Sequence, residues 1–263
     1  SPKTVDEVKQ IVDYCNAESI EWLCLGNASN LIVRDGGIKD FVIMLTDLNT
    51  VSVNDTTITA DAGAKLIETT HVARDHQLTG LEFACGIPGS IGGAAYMNAG
   101  AYGGELVDVF QSAEILLADG TIVTYTKDMM DFSYRHSALQ HTKSIVLNVT
   151  FTLEKGQPEK IQEVMDDLTE KRESKQPLEY PSCGSVFKRP EGHFTGKLIQ
   201  DANLQGLKWG GAQISEKHAG FIVNIDGATA TDYVELIQHI QKVILETFNV
   251  TLEPEVRIIG REK

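Results

Sequence analysis

The sequence predicts an α+β protein of two or three lobes, and three observations predict it. Apolar residues recur at helical spacing in Val5, Val8, Ile11, Val12 and Cys15, and again in Leu236, Ile237, Ile240, Val243 and Ile244. Elsewhere they alternate, as in Val51, Val53, Ile58 and Ala60 about the turn Asn54-Asp55, which marks a hairpin. Between the two regimes lies a charged helix at about 158–173, with Ile161, Val164, Met165 and Leu168 on one face and Pro177 and Pro181 closing it, and this reads as the passage between lobes.

Each element follows from its residues. Thr4-Val5-Asp6-Glu7 reads as a capping box, so a first helix spans about 4–17. Short apolar strands follow at 22–25, 31–33 and 41–45, separated by the polar turns 26–30 and Asp35-Gly36-Gly37; with so little alternation they are expected to be covered on both faces. After the hairpin at 49–61, residues 64–78 read as a helix leading into the Gly-rich stretch 85–104. A strand pair about Asp119-Gly120 spans 106–126, and 144–153 adds another strand. Beyond the charged helix, Lys197-Leu198-Ile199 lie in a helix, 220–225 is a strand, and 231–247 is a long helix. A last strand covers 250–259, where Pro254 argues for an edge or a bulge.

Composition narrows the function classes. The chain has 263 residues, 42% of them hydrophobic, so it buries a sizeable core. A net charge of −14 opposes general binding to nucleic acid or anionic membranes, so a phosphate ligand needs a local basic patch. Lys171, Arg172, Lys175, Lys188 and Lys208 supply one. No apolar run approaches the length of a membrane span, and a cytoplasmic protein is expected. Cys15, Cys24, Cys85 and Cys183 stand apart with no C-x-x-C, so neither a disulfide scaffold nor a zinc site is expected. There is no Walker motif, no H-E-x-x-H, and no G-x-G-x-x-G after the first strand; no metal site is expected.

The Gly-rich stretch is the main candidate site. So many glycines mark backbone that comes close to something, and Pro88 fixes one φ and removes one N–H, leaving its neighbours free to form an anion-binding concavity. A diphosphate is the obvious guest. A tight crossover packed between sheet and helix would use the same residues.

Several segments, taken in order, are more specific. They are Leu25-Gly26-Asn27-Ala28-Ser29-Asn30-Leu31-Ile32-Val33, Gly86-Ile87-Pro88-Gly89-Ser90-Ile91-Gly92-Gly93-Ala94 and Asn98-Ala99-Gly100-Ala101-Tyr102-Gly103. Tyr134-Arg135-x-Ser137, Gly184-Ser185-Val186-Phe187-Lys188, Gly210-Gly211-Ala212, His218-Ala219 and Leu252-Glu253-Pro254-Glu255-Val256 follow. Together they resemble the bacterial UDP-N-acetylenolpyruvoylglucosamine reductase family, in its shorter variant. Departures are Ala28, where the family has glycine, and Arg189 and Gly220, where it has asparagine. The family also opens with further residues, including a Gly-Gly turn, so the first flavin-binding subdomain is expected to be incomplete.

The resemblance implies a two-subdomain FAD-binding region like that of vanillyl-alcohol-oxidase-like flavoproteins over 1–155. A smaller α+β substrate-binding domain would cover 156–263, its last strand returning to the flavin site. It implies non-covalent FAD, NADPH as co-substrate, a UDP-sugar enolpyruvyl ether as substrate, and no nucleic-acid or membrane partner. Hydride from flavin N5 would add to the enolpyruvyl methylene carbon and leave an enolate. Arg135 would stabilise that enolate, since a guanidinium stays charged and can fork onto a carboxylate. Ser185 would give the proton, and Glu255, protonated or sharing a proton beside the substrate carboxylate, would help to stabilise the enolate. The resemblance puts Gly26, Asn27, Ser29, Asn30, Gly86, Ile87, Pro88, Gly89, Ser90, Gly92, Gly93, Asn98, Gly100, Ala101 and Gly103 against FAD, the diphosphate being held by backbone N–H groups and by the Ser29, Asn30 and Ser90 side chains. It puts Tyr134, Lys175, Lys188, Gln213 and His218 against the substrate. Two other readings fit parts of the pattern: a related FAD-linked oxidase, for which Cys85 is the one candidate tether between 80 and 104, and a flavin or nucleotide-sugar binding protein without turnover.

Overall fold

The computed structural model describes residues Ser1–Lys263. Contacts divide the chain into two units, one formed by Ser1–Ala28 and Asp40–Glu170, the other by Ser29–Lys39 and Lys171–Lys263. The chain therefore enters the second unit at residue 29, returns at residue 40, and crosses for good at residue 171. The sequence reading instead puts the boundary at 155/156 and leaves 29–39 in the first lobe.

In the first unit, helix α1 (Val5–Ala17) starts at Thr4, whose Oγ1 accepts from the Glu7 N–H at 3.2 Å. The predicted box is half formed, because Glu7 Oε2 accepts from the Lys3 N–H at 2.6 Å rather than from Thr4. Strand β1 (Trp22–Leu25) leads to β2 (Leu31–Val33), which belongs to the other unit, and β1 pairs in parallel with β3 (Phe41–Met44). Val33 and Phe41 are exposed, so these strands are not covered on both faces as predicted.

The predicted hairpin is present as β4 (Val51–Asn54) and β5 (Thr57–Asp61), with Asp55 turning at φ +52°. Helices α2 (Leu66–Asp75) and α3 (Ile91–Met97) follow, then strands β6 (Phe110–Leu117), β7 (Ile122–Thr126) and β8 (Ser144–Thr152). They form a five-stranded antiparallel sheet in the order β7-β6-β8-β5-β4. On β8 every second residue, Ile145, Leu147, Val149 and Phe151, is buried in the core of this unit. Each such side chain contributes about 1.5–3 kcal/mol by its removal from water.

Helix α3 lies in the middle of the Gly-rich stretch, where glycine density marks no helix, and it packs against β8, with Ile91, Ala94 and Ala95 buried. Helix α4 (Pro158–Lys175) starts in the first unit, where Ile161 and Met165 pack on Cys85. Val164, predicted on that face, is exposed, since only the i, i+4 stripe meets apolar neighbours.

The second unit has strands β9 (Ser182–Ser185), β10 (Lys208–Trp209), β11 (Ala212–Ile214) and β12 (Phe221–Asn224) in an antiparallel sheet of order β9-β12-β11-β10. Helix α5 (Thr195–Asp201) and the long helix α6 (Ala230–Phe248) complete its core, with Leu236, Ile237, Ile240 and Ile244 packed with Ile199, Ile214 and Ile222. The last strand is shorter than predicted. Only β13 (Arg257–Ile259) is regular, whereas Pro254 is limited to a single bridge with Phe187.

Strand β2 is what the second unit draws from early in the chain. It pairs in parallel with β13, Leu31 opposite Arg257, Ile32 opposite Ile258 and Val33 opposite Ile259. Just beyond, Asp35 caps helix α6 from outside: its Oδ1 accepts from the Ala230 N–H and its Oδ2 from the Thr231 N–H, each at 3.0 Å. The Thr231 hydroxyl, and then the Ala230 N–H, hold the Asp35 carboxyl below its ordinary range. Thr229 and Asp232 form a capping box at the same helix start. No helix is long and apolar enough to cross a membrane.

Candidate functional site

In the first unit the candidate residues gather around the start of α3. Ser90 is buried and caps the helix, its Oγ accepting from the Gly93 N–H at 3.3 Å. The turn after β1 lies directly on it: a Cβ on Gly26 would stand 2.1 Å from Ser90 Oγ, so any larger residue must displace that hydroxyl. Asn27 Nδ2 donates to the Pro88 carbonyl at 2.6 Å, tying the same turn to the Gly-rich stretch.

The expected N–H cradle looks different in detail. The N–H groups of Ile91 and Gly92 donate to the Ala64 and Ala62 carbonyls, those of Ile87 and Gly89 to the Ala84 and Ile87 carbonyls, and that of Gly93 to Ser90. These donors are spent inside the chain. Gly92 packs closely beside the end of β5, where a Cβ would lie 3.0 Å from the Ala62 Cβ. What the stretch offers a ligand is a strip of bare main chain. Gly93 and Gly103 are exposed, Gly86, Ile87, Gly89, Gly100 and Ala101 are half-buried, and Tyr102 is exposed beside them. Such a strip fits a flat, phosphate-linked dinucleotide that must lie close to backbone.

Asn98 is fully buried at the left-handed C-terminus of α3, with φ +42°. Its Nδ2 donates to Glu105 Oε2 at 3.0 Å and to the Ser133 carbonyl at 3.1 Å, and its Oδ1 accepts from the Val107 N–H at 3.0 Å. Its polar atoms thus serve the fold, and any part it has in holding a ligand is indirect.

Tyr134 and Arg135 form the tip of a two-residue turn between Ser133 and His136, whose N–H and C=O groups bond reciprocally. Arg135 has φ +55°, and its Nη2 donates to the Gly100 carbonyl at 3.0 Å. Its guanidinium carbon lies 5.1 Å from the centre of the exposed Tyr134 ring. Ser137 Oγ and Gln140 Nε2 both donate to the Tyr96 carbonyl, at 2.8 and 3.0 Å, and so cap the C-terminus of α3.

In the second unit two distant motifs meet. Ser185 ends β9 and is exposed, just after Gly184 at φ +78°. The next carbonyl, that of Val186, accepts from the Glu255 N–H at 2.7 Å, while the Lys188 N–H donates to the Glu253 carbonyl at 2.9 Å. Ser185 and Glu255 are therefore held on adjoining segments. Asn30 holds the Glu255 segment in turn: its Nδ2 donates to the Glu255 carbonyl at 3.2 Å, and its own carbonyl accepts from the Arg257 N–H at 3.0 Å. Ser29 is half-buried beside it, and the Asn30 amide group, expected against FAD, is engaged with the chain.

The remaining candidates are spread over this unit. Lys188 Nζ pairs with Glu253 Oε1 at 2.6 Å rather than standing as a lone cation near Ser185. Lys175 is exposed at the C-terminal end of α4. Gln213 lines a polar cleft of about 480 Å³ together with Tyr180, Lys208, Ser215 and Lys217. Its Nε2 donates to the Gly206 carbonyl at 3.0 Å and to Glu216 Oε1 at 3.2 Å.

His218 is half-buried with its ring edge-on to Phe221, centroids 4.8 Å apart. Its Nδ1 accepts from the Gly220 N–H at 3.1 Å, which leaves the proton on Nε2, and burial lowers its pKa below the ordinary 6.5. A neutral Nε2–H donor is what this ring can offer.

Gln140 and Tyr96 were not among the sequence candidates. A lone glutamine carries no chemical signal, and a main-chain carbonyl carries none at all. Only the spacing from Tyr134-Arg135-x-Ser137 could have pointed to Gln140.

Comparison with known proteins bears on both units. Residues 1–126 match the family model of an FAD binding domain, and residues 176–259 match the C-terminal domain of UDP-N-acetylenolpyruvoylglucosamine reductase. Over 261 residues the chain is 71% identical to the UDP-N-acetylenolpyruvoylglucosamine reductase of Enterococcus faecalis, covering 99% of this chain and 87% of that protein. The enzyme of that name from Limosilactobacillus reuteri is 60% identical over 261 residues, covering 99% of this chain and 88% of that one. The crystal structure of UDP-N-acetylenolpyruvylglucosamine reductase from Thermus caldophilus is similar with a TM-score of 0.84 at 33% identity, covering 97% of this chain and 90% of that one.

Gly26→Ala should push Ser90 Oγ off its cap and lower the unfolding free energy by about 1 kcal/mol or more; an unchanged urea midpoint would show the contact to be slack. His218 gives a second expectation. Its folded pKa is lowered, so below 6.5 the unfolded chain binds more protons. Its stabilising contribution is full above that value and is lost as pH falls through the folded pKa. Stability should therefore drop more between pH 7.5 and pH 5 in the native sequence than in His218→Gln, and equal drops would remove His218 as the cause.

Proposed function

The chain belongs to the UDP-N-acetylenolpyruvoylglucosamine reductase family and is an FAD oxidoreductase; on that premise we propose that it uses NADPH to reduce a UDP-N-acetylglucosamine enolpyruvyl ether to UDP-N-acetylmuramate, a peptidoglycan precursor. The observation that carries the reading furthest is the bond from the Glu255 N–H to the Val186 carbonyl, which joins the Gly-Ser-Val-Phe-Lys and Leu-Glu-Pro-Glu-Val motifs.

FAD would be held along Gly26, Asn27, Ser29 and Asn30, the stretch from Gly86 to Gly93, and Gly100, Ala101 and Gly103, with the buried Asn98 acting indirectly. Their bare main chain, more than free N–H groups, supports this role. When bound, the cofactor supplies the hydride for the enolpyruvyl methylene carbon. The protein supplies orientation, charge and one proton.

Adding hydride to the methylene leaves negative charge on the neighbouring carbon, spread into the substrate carboxylate. Arg135 stabilises that charge, and its guanidinium is well suited, being permanently positive. Ser185 gives its hydroxyl proton to the carbon and regains one from water, so that one hydride and one proton are added in all. Glu255 acts beside the substrate carboxylate. Lys175, Lys188, Tyr134, Gln213 and a neutral His218 bind the UDP-sugar, with Lys175 the cation for its diphosphate. Cys85 is buried against Ile161 and Met165, which argues against a tethered-flavin oxidase.

Ser185→Ala separates the steps. Reduction of bound FAD by NADPH should stay within about twofold of the native rate, while reoxidation by the enolpyruvyl sugar should fall by about 10²-fold or more, the range for loss of a positioned acid. Stopped-flow flavin absorbance reads both. Native-rate reoxidation would take the proton from another group.

A further inference from the structure

We propose that Gln140 is a positioning residue for Arg135. The inference rests on the reading of Arg135 as the group that stabilises the enolate.

Arg135 is one of ten non-glycine residues with positive φ, at +55°. A side chain there costs on the order of 1–2 kcal/mol relative to ordinary backbone, so the surrounding bonds must impose the conformation. They are identifiable. Gln140 Nε2 donates to the Arg135 carbonyl at 3.0 Å and to the Tyr96 carbonyl at 3.0 Å. An amide nitrogen has two hydrogens, and this geometry uses both. On the other side of the turn, Asn98 Nδ2 donates to the Ser133 carbonyl at 3.1 Å. Two amide side chains thus bracket the four residues 133–136, one of them fixed at the C-terminus of α3 and the other fixed to it.

Their contributions are not equivalent. Asn98 is fully buried and also bonds Glu105 and Val107, so its loss would disturb a wide region. Gln140 is half-buried, and its amide nitrogen reaches only Arg135, Tyr96 and, at 3.7 Å, Met97 Sδ. Tyr96 keeps a second donor, Ser137 Oγ, when Gln140 is changed. Removing the Gln140 amide therefore leaves α3 capped and releases chiefly the Arg135 peptide. The guanidinium, whose Nη2 donates to the Gly100 carbonyl, would then extend from a backbone no longer fixed and drift from the position where charge develops. Displacements of about 1 Å are enough to cost up to 10²-fold in rate.

The test uses FAD-loaded protein and the two half-reactions. Gln140→Met keeps size and removes both donors; it should slow reoxidation by the enolpyruvyl sugar roughly 10-fold while flavin reduction by NADPH stays within about twofold. Gln140→Lys, which again presents N–H donors to two carbonyls, should restore most of the rate. In an Arg135→Gln background, Gln140→Met should add less than about a twofold loss, because it acts through Arg135. The inference is overturned by native reoxidation in Gln140→Met, by equal losses in both half-reactions, or by a full further loss in the Arg135→Gln background. Native reoxidation in Arg135→Gln alone overturns the role of Arg135, and the inference with it. If Gln140→Met does not fold, Gln140→Glu, which turns the donor into an acceptor, is read by the same criteria.

Discussion

The bonds between Asn30 and the segment 255–257 are the constraint on which the second unit depends. One residue gives its amide hydrogen to the Glu255 carbonyl and takes the Arg257 N–H on its own carbonyl. Strand β2 then continues the pairing along β13, and Asp35 ends it by capping α6. Without this early segment, β13 would lose the strand it pairs with, and the Glu255 carbonyl would lose its bond from Asn30. The Glu255 N–H is bonded to Val186, next to Ser185. A short stretch of the N-terminal half thus sets the backbone on which the proposed carboxyl and proton donor are carried. Catalytic groups must be held to fractions of an ångström, and backbone hydrogen bonds from three separated segments provide that rigidity.

The first unit solves a similar problem by other means. Its five-stranded sheet supplies an apolar face, and α3 packs on it with alanines and glycines that keep the helix close. Once α3 is fixed, its two ends do the rest. The N-terminal end is locked by Ser90 and by the Gly26 turn pressed against it. The C-terminal end receives Asn98, Ser137 and Gln140, and through them the Arg135 turn. The bare strip expected to face the cofactor and the arginine expected to face the substrate are thereby parts of one rigid network.

How much of this was legible in the sequence depends on the range of the interactions. Helix α1, the β4-β5 hairpin and α6 are fixed by local pattern, and they lie where Thr4, Asn54-Asp55 and the repeat from Leu236 to Ile244 put them. The helix inside the Gly-rich stretch was missed because glycine density hides a seven-residue helix whose stability comes from packing and from Ser90, not from propensity. The short reach of the last strand reflects Pro254, which leaves Phe187 only a single bridge. The parallel pairing of β2 with β13 has no local signature at all, since its two halves stand at opposite ends of the chain. Of the site, Arg135, Ser185 and Glu255 were named through their motifs, and the backbone contact that joins the last two emerged only in three dimensions. The use of the Asn30 and Asn98 amides for the fold was equally invisible, because an asparagine in a turn reads the same whether it faces a ligand or a carbonyl.

The central claim is that reducing equivalents pass from NADPH through this protein to an enolpyruvyl UDP-sugar. The most direct measurement is NADPH consumption by purified, FAD-loaded protein with and without that sugar, with product identified by mass. Consumption that requires the sugar and yields one UDP-N-acetylmuramate per NADPH is the expected result. No consumption, or consumption that the sugar does not change, would contradict it.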